Sequence, residues 1–111
     1  MPVTVDEALR DSLVVNAREV IREFSFQVGH LNTEVRVRLY RSLDGGKIGY
    51  RVSHHIHTPR HMDPQVPPMS WGEDEGDAMR LAVSGITEQY RSAMEEGMIP
   101  HESWLIPNKV F

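Results

Sequence analysis

Cysteine is absent from the 111 residues. That excludes disulfides, thiolate zinc sites and thiol nucleophiles, and it fits a reducing compartment. No apolar run approaches the roughly 20 residues that a bilayer-spanning helix needs. The opening stretch, Met1 to Ser12, lacks the basic start and apolar core of a secretory signal. A cytoplasmic location without membrane attachment is therefore expected. P-loop, G-x-S-x-G and G-x-G-x-x-G patterns are missing too, so no residue is assigned a catalytic role. Internal repeats and low-complexity tracts are likewise absent.

What remains is the composition of one ordinary globular domain over residues 1–111, with 40% hydrophobic and 25% charged residues. A chain of this size can bury a modest core without metal or disulfide. Its net charge of −4 is unevenly spread. Residues 34–61 carry six Lys/Arg against two acids, and residues 62–96 carry eight acids against two arginines. A basic segment is thus followed by an acidic one, either as two solvated faces or as a surface for a partner.

The periodicity predicts an α+β fold. Thr4-Val5-Asp6-Glu7 has the capping-box form. Val5, Leu9, Leu13, Val20, Ile21 and Phe24 follow at helical spacing, which predicts a helix over about 5–23. Phe24, Phe26 and Val28 alternate and fit a short strand or a frayed helix exit. Val35, Val37 and Leu39 then alternate with charged residues, as do Ile48, Tyr50, Val52 and Ile56 after Asp44-Gly45-Gly46. Two alternating runs around Asp-Gly predict a hairpin. Its apolar face holds Val35, Val37 and Leu39. The opposite face holds Arg36, Arg38, Tyr40, Arg51, Ser53, His55 and His57. Residues 58–70 are proline-rich and predict a loop with at most a short extended piece. A long helix starts between Ser70 and Asp77, with Ser70-x-x-Glu73 as one candidate cap. Gly97 and Pro100 end it. The expected order is α-β-β-β-α: an N-terminal helix, an antiparallel sheet of about three strands, and a long C-terminal helix packed on one face.

From Pro67 the chain reads PPMSWGEDEGDAMRLAVSGITEQYRSAMEEGMIP. This resembles the end of the HicB-type antitoxin domain, where a strand and a short turn lead into an acidic, alanine-spaced helix that stops at Gly. Gly72, Ala78, Ala82, Gly85, Ile86 and Gly97 fall at matching spacings. The hairpin VRVRLYRSLDGGKIGYRVS is similar to the family's first two strands. The resemblance spans roughly residues 34–100. It departs at His57-Thr58-Pro59-Arg60-His61, where the family carries Leu-Pro-Gly-Cys, and only eleven residues follow Pro100, where the family carries a DNA-binding segment. The resemblance implies a small non-enzymatic, dimeric regulatory protein that neutralises a ribonuclease partner.

Three groups of residues are candidates for function. Arg36, Arg38, Tyr40 and Arg51 form a basic face suited to an acidic protein partner or to phosphate and a stacked base. His55 and His57 sit two apart on a strand, about 7 Å from one another. With His61 or Asp63 as a third ligand they could share a zinc or other transition-metal ion. The alternatives are thus a metal- or nucleic-acid-binding protein, or a domain without a small ligand. Ser53 beside His54 is not read as a dyad, because neighbouring strand residues face opposite ways. Finally, Trp104, Leu105, Ile106 and Phe111 make an apolar tail. It either folds back onto the domain or, through Trp104, Leu105 and Phe111, meets a second copy.

Overall fold

The computed structural model describes residues 2–43, 46–59 and 70–111. The elements run α1 (Val5–Leu9), β1 (Arg18–Phe26), β2 (Val35–Ser42), β3 (Ile48–Val52), β4 (His54–Ile56), β5 (Ser70–Gly72), α2 (Glu75–Glu95), a 3-10 turn (Glu102–Trp104) and β6 (Leu105–Pro107). The α+β architecture is as expected, with a short first helix, an antiparallel sheet and a long helix packed on it. No helix among the described residues is long and apolar enough to cross a membrane.

As far as Val52 the hairpin has the anticipated faces; Ser53, His55 and His57, expected on the basic face, lie past the point where the strand leaves this sheet. Val37 pairs with Val52 and Leu39 with Tyr50, on the apolar side; Arg38 pairs with Arg51 on the other. Asp44 and Gly45, where the turn was expected, lie outside the described residues. Val35, Val37 and Leu39 are almost wholly buried. Burying each stabilises the fold by about 1.5–3 kcal/mol.

The N-terminal helix is much shorter than its periodicity predicts. Thr4 caps it as expected, its hydroxyl accepting the Glu7 N–H at 3.1 Å. It stops at Leu9 because Asp11 turns the chain: its carboxylate accepts the Leu13 N–H at 2.9 Å. Asn16 follows with φ +54°, a left-handed conformation that breaks the helix. Residues 18–26 then form β1, which pairs antiparallel with β2. Val20, Ile21, Phe24 and Phe26 are β-branched or aromatic and suit a strand. A register shift between Val20 and Arg22 makes their spacing mimic a helix.

The main sheet has four strands in the order β1-β2-β3-β5. β5 was expected to lie in a loop or to open the helix at Ser70. Instead Ser70 pairs with Tyr50 and Gly72 with Ile48, and the helix cap moves to Asp74. Asp74 accepts the Asp77 N–H at 2.7 Å, while Asp77 accepts the Glu73 N–H at 3.0 Å. Gly72 is required here by contact: a Cβ would lie 2.5 Å from the Ala78 nitrogen.

Helix α2 covers the apolar face with Ala78, Ala82, Ile86, Tyr90 and Ala93. The alanines let its axis approach the sheet closely. Met94, near the end of the helix, is 44% exposed. Two core clusters result. Val37, Leu39, Ile48, Val52, Ala78 and Ala82 fill the first; Val28, Val35, Ile56, Ile86, Tyr90 and Trp104 are in the second. Gly97 ends the helix with φ +82°.

At Ser53 the hairpin's second strand changes sheets. The Ser53 N–H still bonds the Arg36 carbonyl at 2.8 Å, but from His54 onward the chain pairs with β6. This brings the C-terminal segment back to the hairpin.

Candidate partner-binding surface

The basic face lies opposite α2. Arg36, Arg38 and Tyr40 alternate along β2, and Arg51 stands across from Arg38 on β3. On β1, Glu23 is Arg38's other neighbour. The Glu23 carboxylate takes one Arg38 nitrogen at 3.0 Å and one Arg36 nitrogen at 3.8 Å. One carboxylate serves two guanidinium groups there, so positive charge is left over. Arg38 also donates to the Tyr40 hydroxyl at 3.3 Å. That bond, and more weakly Glu23, raises the Arg38 pKa further above its ordinary value. Tyr40 itself is buried, with the Arg18 guanidinium 5.0 Å from its ring centre.

The chain's own tail occupies this face. Asn108 is the anchor: its side-chain N–H donates to the Val52 carbonyl at 2.9 Å, and its main-chain N–H to the Ser53 carbonyl at 2.8 Å. Beyond it, Arg51 donates to the Val110 oxygen at 2.9 Å and Arg38 to the Phe111 main-chain oxygen at 3.0 Å. The Phe111 ring lies 4.1 Å from the Arg38 guanidinium carbon and 5.0 Å from that of Arg36. Cation–ring contacts of this kind are worth about 0.5–1 kcal/mol each at exposed sites. The sequence brought forward Arg36, Arg38, Tyr40, Arg51 and Phe111 but not their association. It missed Glu23 and Asn108 altogether. Glu23 was concealed by the helical reading of its segment, and an Asn three residues from the last residue carries no distinctive pattern.

Trp104 and Leu105 fold back. Both are buried, at 5% and 6% exposure, and Trp104 meets Tyr90 edge-on with ring centres 6.0 Å apart. Of the three residues expected at a contact between copies, these two are seated in the chain's own core. Phe111 is half-buried on the basic face. Glu102 fixes the tail from the other side, accepting the Asn32 N–H, the Thr33 N–H at 3.2 Å and the Thr33 hydroxyl at 2.6 Å. Those bonds hold the Glu102 pKa below the usual carboxylate range.

Of the histidine cluster and Asp63, the described residues include His54, His55 and His57. His55 is buried, and its Nδ1 has no hydrogen-bond partner. Burial, followed by the charges of His54 and His57, lowers its pKa. His57 is half-buried and its N–H bonds the Trp104 carbonyl at 2.8 Å. His61 lies outside the described residues. Among the described residues no group of three or more His, Asp or Glu side chains is arranged to hold a metal ion.

Ser53 and His54 do touch, contrary to the strand rule, because the sheet change bends the chain between them. Ser53 Oγ lies 2.9 Å from His54 Nδ1. The hydroxyl also accepts the Arg36 N–H at 2.7 Å and is only 5% exposed. Burial and then Arg36 lower the His54 pKa, which opposes the proton gain that a general base must make. The pair secures the sheet change rather than presenting a nucleophile.

Comparison with protein-family models, curated proteins and solved structures gives no match. The HicB-type resemblance therefore stands on the quoted residues alone.

Proposed function

We propose that this chain is a small non-enzymatic protein-binding module whose contact surface is the basic face of the β2–β3 hairpin. The observation that carries this reading is the grip of Arg36, Arg38 and Arg51 on residues 110–111. Three guanidinium groups hold the turn that follows β6 by two main-chain oxygens and one aromatic ring. The chemistry selects a partner segment with an accessible main-chain oxygen, an aromatic residue and acidic neighbours. The tail acts as an internal competitor for that segment. A cytoplasmic regulatory role of the HicB type is compatible with this reading. A strongly basic ribonuclease, however, would be repelled by this face and would meet the acidic start of α2 around Glu73, Asp74 and Asp77 instead.

Fluorescence anisotropy tests the proposal with two probes, an acidic peptide containing one phenylalanine and a single-stranded RNA. Deleting residues 109–111 leaves the Asn108 anchor in place and should tighten peptide binding by about tenfold, the effect of losing an internal competitor worth about 1.4 kcal/mol. Arg36→Glu/Arg38→Glu should abolish it. RNA bound more tightly than peptide, with affinity falling steeply as salt rises, would replace the protein partner with a nucleic acid. Equal peptide binding by the full chain and the arginine variant would remove the basic face from consideration.

A further inference from the structure

The β1 edge and the turn before it form the second unaccounted surface. β1 is an outer strand of the four-stranded sheet, and every residue in it except Ile21 and Phe26 is exposed. Val20 and Phe24 are 56% and 37% exposed. Such edges are normally blunted by proline, lysine or a covering loop. In β1 there is no proline or lysine; the exposed charges of Arg18, Glu19, Arg22 and Glu23 and the irregularity between Val20 and Arg22 are its protection, and residues 22–26 keep regular pairing with β2. Immediately before the strand, Leu13, Val14 and Val15 are 89%, 40% and 76% exposed. Helix α1 has no buried residue, and five residues make no stable helix by themselves.

We infer that β1 pairs antiparallel with β1 of a second copy around a two-fold axis at Phe24. Residues directly across an antiparallel ladder share a face, so a two-fold axis normal to the sheet must pass through a residue and its own mate. Centring on Arg22 or Glu23 sets like charges against each other, which is destabilising. Centring on Phe24 sets Phe24 against Phe24, Glu23 against Ser25 and Arg22 against Phe26. It keeps the longest regular overlap of the registers that avoid like-charge pairs.

The same register supplies a site for the exposed turn. Because regular pairing stops at the irregularity and at Phe26, it carries the start of β1 in one copy toward the turn at Gly29 and His30 in the other. Beside His30 lies an open groove of about 470 Å³, lined by Val28, Tyr90 and Met94 with Arg91 and Glu95 among its charged residues. Val15 is three residues from Arg18, a reach of at most about 10 Å. Leu13, Val14 and Val15 of one copy thus arrive at the partner's groove. Arg10 and Asp11 on the turn match Glu95 and Arg91 of the groove in charge. The pairing forms one ladder across the axis and the docking occurs twice by symmetry, joining the two four-stranded sheets into one of eight strands.

The absence of native cysteine makes the test direct. Phe24→Cys should form an intermolecular disulfide under mild oxidation, since the two positions coincide on the axis. Trp71→Cys, exposed on the opposite edge, should not. Sedimentation at micromolar concentration should give twice the 12.7 kDa chain mass. Leu13→Asp/Val15→Asp changes only exposed side chains and should weaken association at least tenfold without altering circular dichroism. A monomer at 100-fold higher concentration, or cross-linking of Trp71→Cys in preference to Phe24→Cys, would overturn the inference.

Discussion

The guanidinium of Arg38 stands 4.1 Å over the ring of Phe111 and bonds the same residue's main-chain oxygen at 3.0 Å. One side chain thus reads both an aromatic group and a backbone oxygen, 73 positions apart in the chain. This contact turns a basic hairpin face from a bare charge pattern into a place where peptide is held.

Phe111→Ala should leave the fold intact and lower stability by about 1–2 kcal/mol, the value of two cation–ring contacts. Thermal melting checks this. Because Arg38 retains Glu23 and Tyr40, Arg38→Ala should cost more than Phe111→Ala. Equal costs would mean that the ring contact is the only one that counts.

Acid should destabilise the chain in two stages. The folded pKa values of His54 and His55 lie below their ordinary 6.5, so the unfolded chain binds protons first. Stability is then full above pH 6.5 and declines as pH falls through the folded values. His55→Phe should flatten this first stage in urea titrations run from pH 7.5 to 5. Glu102 has its pKa below the ordinary 4.5, so its bonds to Asn32 and Thr33 weaken only at lower pH. Asp77, held low by the Glu73 N–H and Arg80, adds to this stage, so Glu102→Gln should reduce it and leave the first.

Trp104→Ala should destabilise by about 3–5 kcal/mol, because it opens a cavity against Tyr90 in a buried cluster. Chemical denaturation measures it. A loss below 1 kcal/mol would place the tryptophan at the surface.

Gly72→Ala places a methyl group 2.5 Å from the Ala78 backbone nitrogen. Backbone on both sides cannot yield cheaply, so a loss of about 1–3 kcal/mol is expected from overpacking. Gly85→Ala, where a Cβ meets nothing within 4 Å, should stabilise the helix by up to about 1 kcal/mol. Urea midpoints of the two variants should therefore move in opposite directions.

Much of this structure was legible in the sequence because its signals are local. Alternation at Val35, Val37 and Leu39 with an Asp-Gly turn defined the hairpin faces. Alanine spacing and Gly97 defined α2. Residues 18–26 were misread because the irregularity near Ile21 shifts the alternation by one and places Val20, Ile21 and Phe24 at helical spacing. The pairing with β2 that decides the matter lies outside that window. The candidate surface was half legible: the three arginines followed from strand parity, but their partners Glu23, Val110 and Phe111 come from remote segments. The Ser53–His54 contact was missed because strand parity fails where a strand leaves its sheet.

That departure at Ser53 also bears on how the chain folds. β2 and β3 meet across a short turn and can zip from it, whereas β4 must wait for β6 to return from about fifty residues away. Long loops delay pairing because their closure entropy comes before any contact compensates it. Asn108, Val110 and Phe111 follow β6 directly, so the basic face stays uncovered until this late step. A nascent or newly unfolded chain therefore offers its arginines before its tail can reach them, and a partner segment present at that moment meets no internal rival.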